Sequence, residues 1–193
     1  FRNCKNAVIP EGTEKIGNNW FYGCGVESVT ISASVSEIGA RSFYACTRLR
    51  DIVFAEKSEL KEMGYGCFQK SGLEAIALPK ALMKIGEDAF QDCKSLKNIY
   101  VDDKCEASLY RAGIPDFTKI NLHRETVVGN TKLLDLRGCR HVVIPDGIEK
   151  IGNHWFWGSE IESVEIPASV REIGVDAFFR CKNLKSVAFA EGS

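Results

Sequence analysis

Eight cysteines and three histidines are the residues of this chain best suited to metal or covalent chemistry, so their spacing comes first. A zinc site draws on closely spaced thiolates and imidazoles. No Cys-x-x-Cys occurs, and His123, His141 and His154 match no ligand spacing, so no metal ligand is assigned. Cys139 and His141 have the types of a thiol nucleophile and its base. That chemistry also needs an orienting third group and an oxyanion site, and residues two apart on a strand share a face without being set for proton transfer. Asp102-Asp103 could touch a cation, but two adjacent carboxylates are commonly a solvated turn. The glycines are spread along the chain and form no phosphate-cradling loop. The expectation is a protein that is not an enzyme, with no catalytic residue and no cofactor.

Cys24, Cys46, Cys93 and Cys181 each close the same pattern, Ile-Gly-x-x-x-Phe-x-x-Cys, starting at Ile16, Ile38, Ile85 and Ile173. Looser copies starting at Met63 and Ile151 carry Ser71 and Ser159 instead. A position that takes Cys or Ser is a column of small, weakly polar side chains inside successive turns, and free Cys is among the most buried residue types. Stacked side chains pointing one way fit disulfide geometry poorly, so reduced structural thiols are expected. Cys4 and Cys139 lie outside this column, and Cys67 and Cys105 are the cysteines most open to reaction or bridging.

The elements that hold these residues repeat. An apolar residue followed by x-x-apolar-x-apolar recurs at Val26-Val29-Ile31, Leu49-Ile52-Phe54, Leu73-Ile76-Leu78, Leu96-Ile99-Val101, Ile161-Val164-Ile166 and Leu184-Val187-Phe189. Its end has the alternation of a strand. Phe117-Ile120-Leu122 fits too, as do Val142 and Ile144. The last apolar residues, from Ile9 to Phe189, are spaced by 21 to 24 positions throughout. The phase therefore survives the irregular stretch after Asp102. The expected architecture is one continuous β-rich solenoid of about nine coils, with stacked parallel strands and short 3₁₀ or single α turns at Gly-x-x-Ala-Phe-x-x-Cys. It divides into a first repeat array at 1–101, irregular turns at 102–141 that continue the solenoid, and a second array at 142–193.

Val8 to Ser58 and Val143 to Ser193 align without a gap, with 29 identities in 51 positions. Their separation of 135 residues is six coils (135/6 = 22.5), so the array has been copied in blocks. Composition narrows the partners. The 193 residues are 45% hydrophobic with a formal net charge of -1, which supports a real core and supplies no basic field for nucleic acid or anionic lipid. No apolar run reaches the length of a spanning helix, so no membrane insertion is expected, and the N-terminus lacks the order of a signal peptide.

The stretch "IPASVREIGVDAFFRCKNLKSVAF", Ile166 to Phe189, resembles the repeat of the BspA-like, or treponemal-type, leucine-rich repeat family. Fixed positions at fixed spacing carry the resemblance over most of the chain. It implies a leucine-rich repeat solenoid on a secreted or cell-surface protein that binds host matrix proteins or microbial surfaces. "IYVDDKCEASLYRAGIPDFTKI" is similar to the family's array-ending turn. A structural spacer presenting another domain is the alternative function. The chain begins and stops inside the pattern, and uncapped ends are expected to be covered by further repeats or by an oligomer.

In such a fold the variable positions beside each strand's fixed residues face the concave sheet. One row reads Thr30, Val53, Ala77, Tyr100, Asn121, Val143, Glu165 and Ala188; the other includes Asp51 and Asn98. Thr30, Asp51, Val53, Ala77, Asn98, Tyr100, Asn121 and Glu165 form the candidate binding surface, with Val53, Ala77 and Tyr100 as its apolar strip. Trp20, Trp155 and Trp157 are candidate aromatic contacts, although Trp20 and Trp155 replace a small residue and structural packing in a wider turn is the favoured reading.

Overall fold

In a computed structural model, which describes residues 4–101, 105, 107–122, 136 and 138–190, the chain winds as a parallel β-solenoid. Nine strands form its front: β1 (Asn6–Ile9), β3 (Ser28–Ile31), β5 (Asp51–Phe54), β7 (Ala75–Leu78), β9 (Asn98–Val101), β10 (Lys119–Leu122), β11 (His141–Val143), β13 (Ser163–Ile166) and β15 (Ser186–Phe189). Two-residue strands form the back: β2 (Lys15–Ile16), β4 (Glu37–Ile38), β6 (Glu62–Met63), β8 (Lys84–Ile85), β12 (Lys150–Ile151) and β14 (Glu172–Ile173). All pairings are parallel and in register with the repeat, Val29 opposite Ile52 and Ile99 opposite Ile120. The last residues of β1, β3, β7, β9, β10 and β13 point inward, with Ile31, Leu78, Val101 and Ile166 all buried. The ladder β9–β10–β11–β13 passes through the irregular stretch without a break.

The front divides into β1–β3–β5 and β7–β9–β10–β11–β13–β15; the described back strands pair as β2–β4–β6–β8 and β12–β14.

The segment after each back strand is not a helix. No helix occurs among the described residues. Asn19, Arg41, Asp88, His154 and Asp176, each two positions after the corner glycine, have φ between 53° and 59°, and Ala45, Lys70, Asp92 and Arg180, four positions further, lie between 54° and 60°. Right-handed helix cannot continue through such residues. The amides alternate instead. Asn19, Phe21 and Gly23 donate to Ala40, Ser42 and Tyr44 of the following coil, while Trp20, Tyr22 and Cys24 donate three residues back within their own coil. Every second amide thus stitches coil to coil.

Inside, the phenylalanines form a stack. Ring centroids are 5.0 Å apart for Phe21 and Phe43, 5.2 Å for Phe43 and Phe68, 6.0 Å for Phe68 and Phe90, and 5.0 Å for Phe156 and Phe178, with planes within 9° of parallel. The corner glycines are required by close approach rather than by φ. A Cβ at Gly64 would lie 2.6 Å from the Ala40 amide nitrogen of the preceding coil, and one at Gly39 would lie 2.8 Å from that of Asn18.

The residues just before the front strands alternate in charge, apart from the neutral Thr118 before β10. Lys5, Glu27, Arg50, Glu74 and Lys97 follow one another, each amide bonded to the carbonyl of the residue before it, and Arg140, Glu162 and Lys185 do the same. Arg50 pairs with Glu74, Arg48 with Glu27, and Glu162 with both Arg140 and Lys185. Asp116 joins this edge through Arg140 at 2.6 Å.

Candidate functional site

Alternation along each front strand turns every second residue outward, and the pairing sets those residues side by side. Thr30 stands opposite Val53; Ala77 opposite Tyr100; Tyr100 opposite Asn121; Val143 opposite Glu165. Thr30, Val53, Ala77, Tyr100 and Glu165 are exposed, Val53 at 53% and Tyr100 at 48%, and Asn121 is half-buried. Asp51 and Asn98 lie in the neighbouring row, where Asn98 is opposite Ala75 and Lys119. The apolar strip is continuous only from Ala77 to Tyr100, because the ladder break falls between Val53 and Ala77.

Part of this face is already engaged within the chain. The Asn121 amide donates to Asn98 Oδ1 at 3.2 Å. Lys119 Nζ reaches across β11 to Glu165 Oε1 at 2.6 Å. His141 Nδ1 is 2.7 Å from Ser163 Oγ; Cys139 is buried, and the imidazole is thus engaged by a hydroxyl across the strands. His123 and Asp102-Asp103 lie outside the described residues. Among the described residues no group of His, Cys, Asp and Glu could hold a metal ion, and no helix is long and apolar enough to cross a membrane.

The tryptophans occupy a different place. Trp20 and Trp155 lie over the corner glycines of their own coils, Gly17 and Gly152, where an added Cβ would fall inside the indole. These coils carry β2 and β12, the first strands of the two back sheets. In later coils the corner glycine packs on the backbone of the coil before it; here the indole takes that place. The small residue that Trp replaces elsewhere is Ser42, Cys67, Ala89 or Ala177, all buried. Trp20 and Trp157 remain 53% and 45% exposed, and Trp157 packs at 4.8 Å from His154 and edge-on to Phe179 at 5.2 Å.

All eight cysteines are free. The thiols of Cys46, Cys93 and Cys181 donate to the carbonyls of Phe21, Phe68 and Phe156 in the preceding coil, at 2.9, 3.0 and 2.8 Å. Burial pushes the Cys46 thiol up to about 12, and it raises Cys67 and Cys93 as well. Cys67 and Cys105, the pair expected to be most reactive, are buried; Cys67 fills the small-residue position under the Phe stack. Another expectation is corrected at Phe117, which is 52% exposed, while its neighbour Thr118 turns inward and donates to Leu96 O at 2.7 Å.

The sequence reading missed Phe54. Equivalent residues are buried except in the last coil, where Phe189 is 57% exposed, whereas Phe54, with coils on both sides, is only half-buried and lines a cleft of about 360 Å³ with Val53, Ala77, Leu78, Pro79 and Lys80. The signal was present: Ile38 lies seven positions after Ile31, but Met63 lies nine after Phe54.

The leucine-rich repeat protein TpLRR of T. pallidum shares this architecture, with a TM-score of 0.55 at 24% identity over 94% of this chain and 78% of that one. The pneumococcal vaccine antigen PcpA (TM-score 0.46, 16% identity, 99% and 73% covered) and a leucine rich cell surface protein of Faecalibacterium prausnitzii (0.48, 22%, 96% and 47%) are also similar. No curated protein matches the chain. The profile of the BspA type leucine rich repeat region matches in six copies over residues 1–112 and 116–193, and the chain therefore belongs to the BspA-type leucine-rich repeat family.

Proposed function

We propose that this chain is a non-enzymatic protein-binding module of a secreted or cell-surface protein, and that its front sheet is the contact face. One observation carries the reading: outward side chains of successive coils stand in lateral register, with Val53 and Tyr100 exposed among polar neighbours. A row of this kind offers many weak contacts on a stiff support, so little ordering cost is added on binding. Tyr100 supplies the amphipathic anchor; Thr30, Asp51, Asn98, Asn121 and Glu165 supply polar discrimination. Placement outside the cell, and a partner among host matrix or microbial surface proteins, rest on family membership.

The test is a pull-down of extracellular-matrix proteins and surface extracts, with the double variant Val53→Asp, Tyr100→Ala in parallel. Capture by the parent that drops at least about tenfold in the variant, the scale of a lost hot spot, is the expected result. Undiminished capture by the variant rejects this face. The second reading, a structural spacer, is favoured by the Lys119–Glu165 pair and the Asn121–Asn98 bond, which occupy part of the face within the chain. Absence of any capture transfers weight to it.

A further inference from the structure

We infer that the solenoid is hinged between the coils of β5 and β7, so that the front sheet behaves as two plates, β1–β3–β5 and β7 to β15, held together along the back.

Three features meet at this boundary. First, the front ladder is absent there, although the same two coils are joined behind by β6 and β8, with Met63 opposite Ile85, and through the turn by Phe68 N–H to Ala89 O at 2.9 Å. Second, the separation of Phe68 from Phe90 is 6.0 Å, against 5.0 to 5.2 Å at the other stacked pairs, so the widening reaches the core. Third, the two front strands stay joined at one end only: at the N-terminal end the Glu74 amide donates to Arg50 O at 3.3 Å, while at the C-terminal end Phe54 is half-buried where Ile31 and Leu78 are buried.

The cause is local. In the coils of β3 and β7 the link from front to back strand covers seven positions, Ile31 to Ile38 and Leu78 to Ile85; after β5 it covers nine, Phe54 to Met63. The extra length, around Glu56 and Lys57, has no counterpart in the coil above, where Pro79 and Lys80 follow the strand directly. On the side facing β3 the same link leaves front and back both paired, so the extra length accompanies an open front only towards β7. A boundary joined along the back, and in front only at its N-terminal edge by the Arg50–Glu74 bond and ion pair, is the geometry of a hinge, whose motion costs few contacts because the front ladder beyond that edge is already missing. The plates swing about the β6–β8 pairing and change the angle between the Val53 and Tyr100 parts of the front.

The test needs no ligand, so it stands or falls apart from the binding proposal. Nitroxides are placed at Val8→Cys and Asn121→Cys, five strand steps apart across the boundary, and in a second sample at Ala77→Cys and Ala188→Cys, five steps apart within one plate, each about 24 Å by strand spacing. The half-buried Cys4 and Cys181 are first replaced by serine; the other six thiols are buried. Pulsed dipolar spectroscopy is expected to give a distribution about twice as broad across the boundary as within the plate. Deletion of Glu56 and Lys57, which restores the seven-position link, is expected to narrow it. Equal widths in the two samples overturn the hinge, and so does a within-plate distribution as broad as the one across the boundary. The comparison is decisive even if the deletion variant does not fold.

Discussion

A thiol that donates to a carbonyl one coil below is a structural hydrogen bond, and its burial has a consequence at high pH. The unfolded chain ionises Cys46 near its ordinary value of 9.0, the folded one only near about 12. Its contribution to stability is therefore complete below about pH 9 and is lost as the pH rises toward about 12, because only the unfolded state releases the proton in that window. The urea midpoint of the parent is expected to fall between about pH 8.5 and 10.5, and to fall less in Cys46→Ser. Ser71 and Ser159 already stand at this position, so the serine variant should fold. An identical pH dependence in both proteins would exclude Cys46 as a source. The Cys-or-Ser alternation made this column legible in the sequence. Cys67 breaks that column and joins another, the small residue three positions after the corner glycine shared with Ser42, Ala89 and Ala177, and it was misjudged as reactive because it was read against the wrong column.

At the scale of elements, the repeated Phe is the residue most dependent on its copies above and below. Phe43 is fully buried between Phe21 and Phe68, whereas Phe178 is half-buried and stacks on Phe156. Truncation of a buried Phe costs about 3–5 kcal/mol, and each ring contact adds roughly 0.5–1.5 kcal/mol beyond area. Phe43→Ala is expected at or above the top of that range and Phe178→Ala well below it, read from urea unfolding. Equal costs would show that stacking between coils contributes little. Strands were legible here because apolar residues alternate and the phase persists. The turns were not: the two left-handed residues per coil fall on Asn, Arg, Asp, His, Ala or Lys more often than on Gly, so no residue type announces them, and a helical turn was the natural expectation. Trp20 and Trp155 stood out at a small-residue position, but their place as lids over Gly17 and Gly152 follows from β2 and β12 being the first strands of their sheets.

Across the whole molecule, the front opens between β5 and β7, where the back is continuous, and between β8 and β12 the front runs on through β9, β10 and β11. No described boundary loses both sheets, so one hydrophobic stack persists from Ile9 to Ile166. The common period of 21 to 24 residues announced that continuity, while the boundary at Phe54 was hidden inside it as a difference of two in one link.

The alternating charges before the front strands set a rule of parity on this chain's history. Stepping the array by one coil would bring Glu27 to the level of a basic residue and set acid beside acid at the junction; stepping it by two restores every sign. The near-identical blocks lie six coils apart, and Lys5 with Arg140, Glu27 with Glu162, and Arg50 with Lys185 carry matching charge. Each exposed pair is worth only about 0–1 kcal/mol, so the rule biases rather than forbids. Duplication by an even number of coils joins without a like-charge contact, and duplication by an odd number leaves one at the scar.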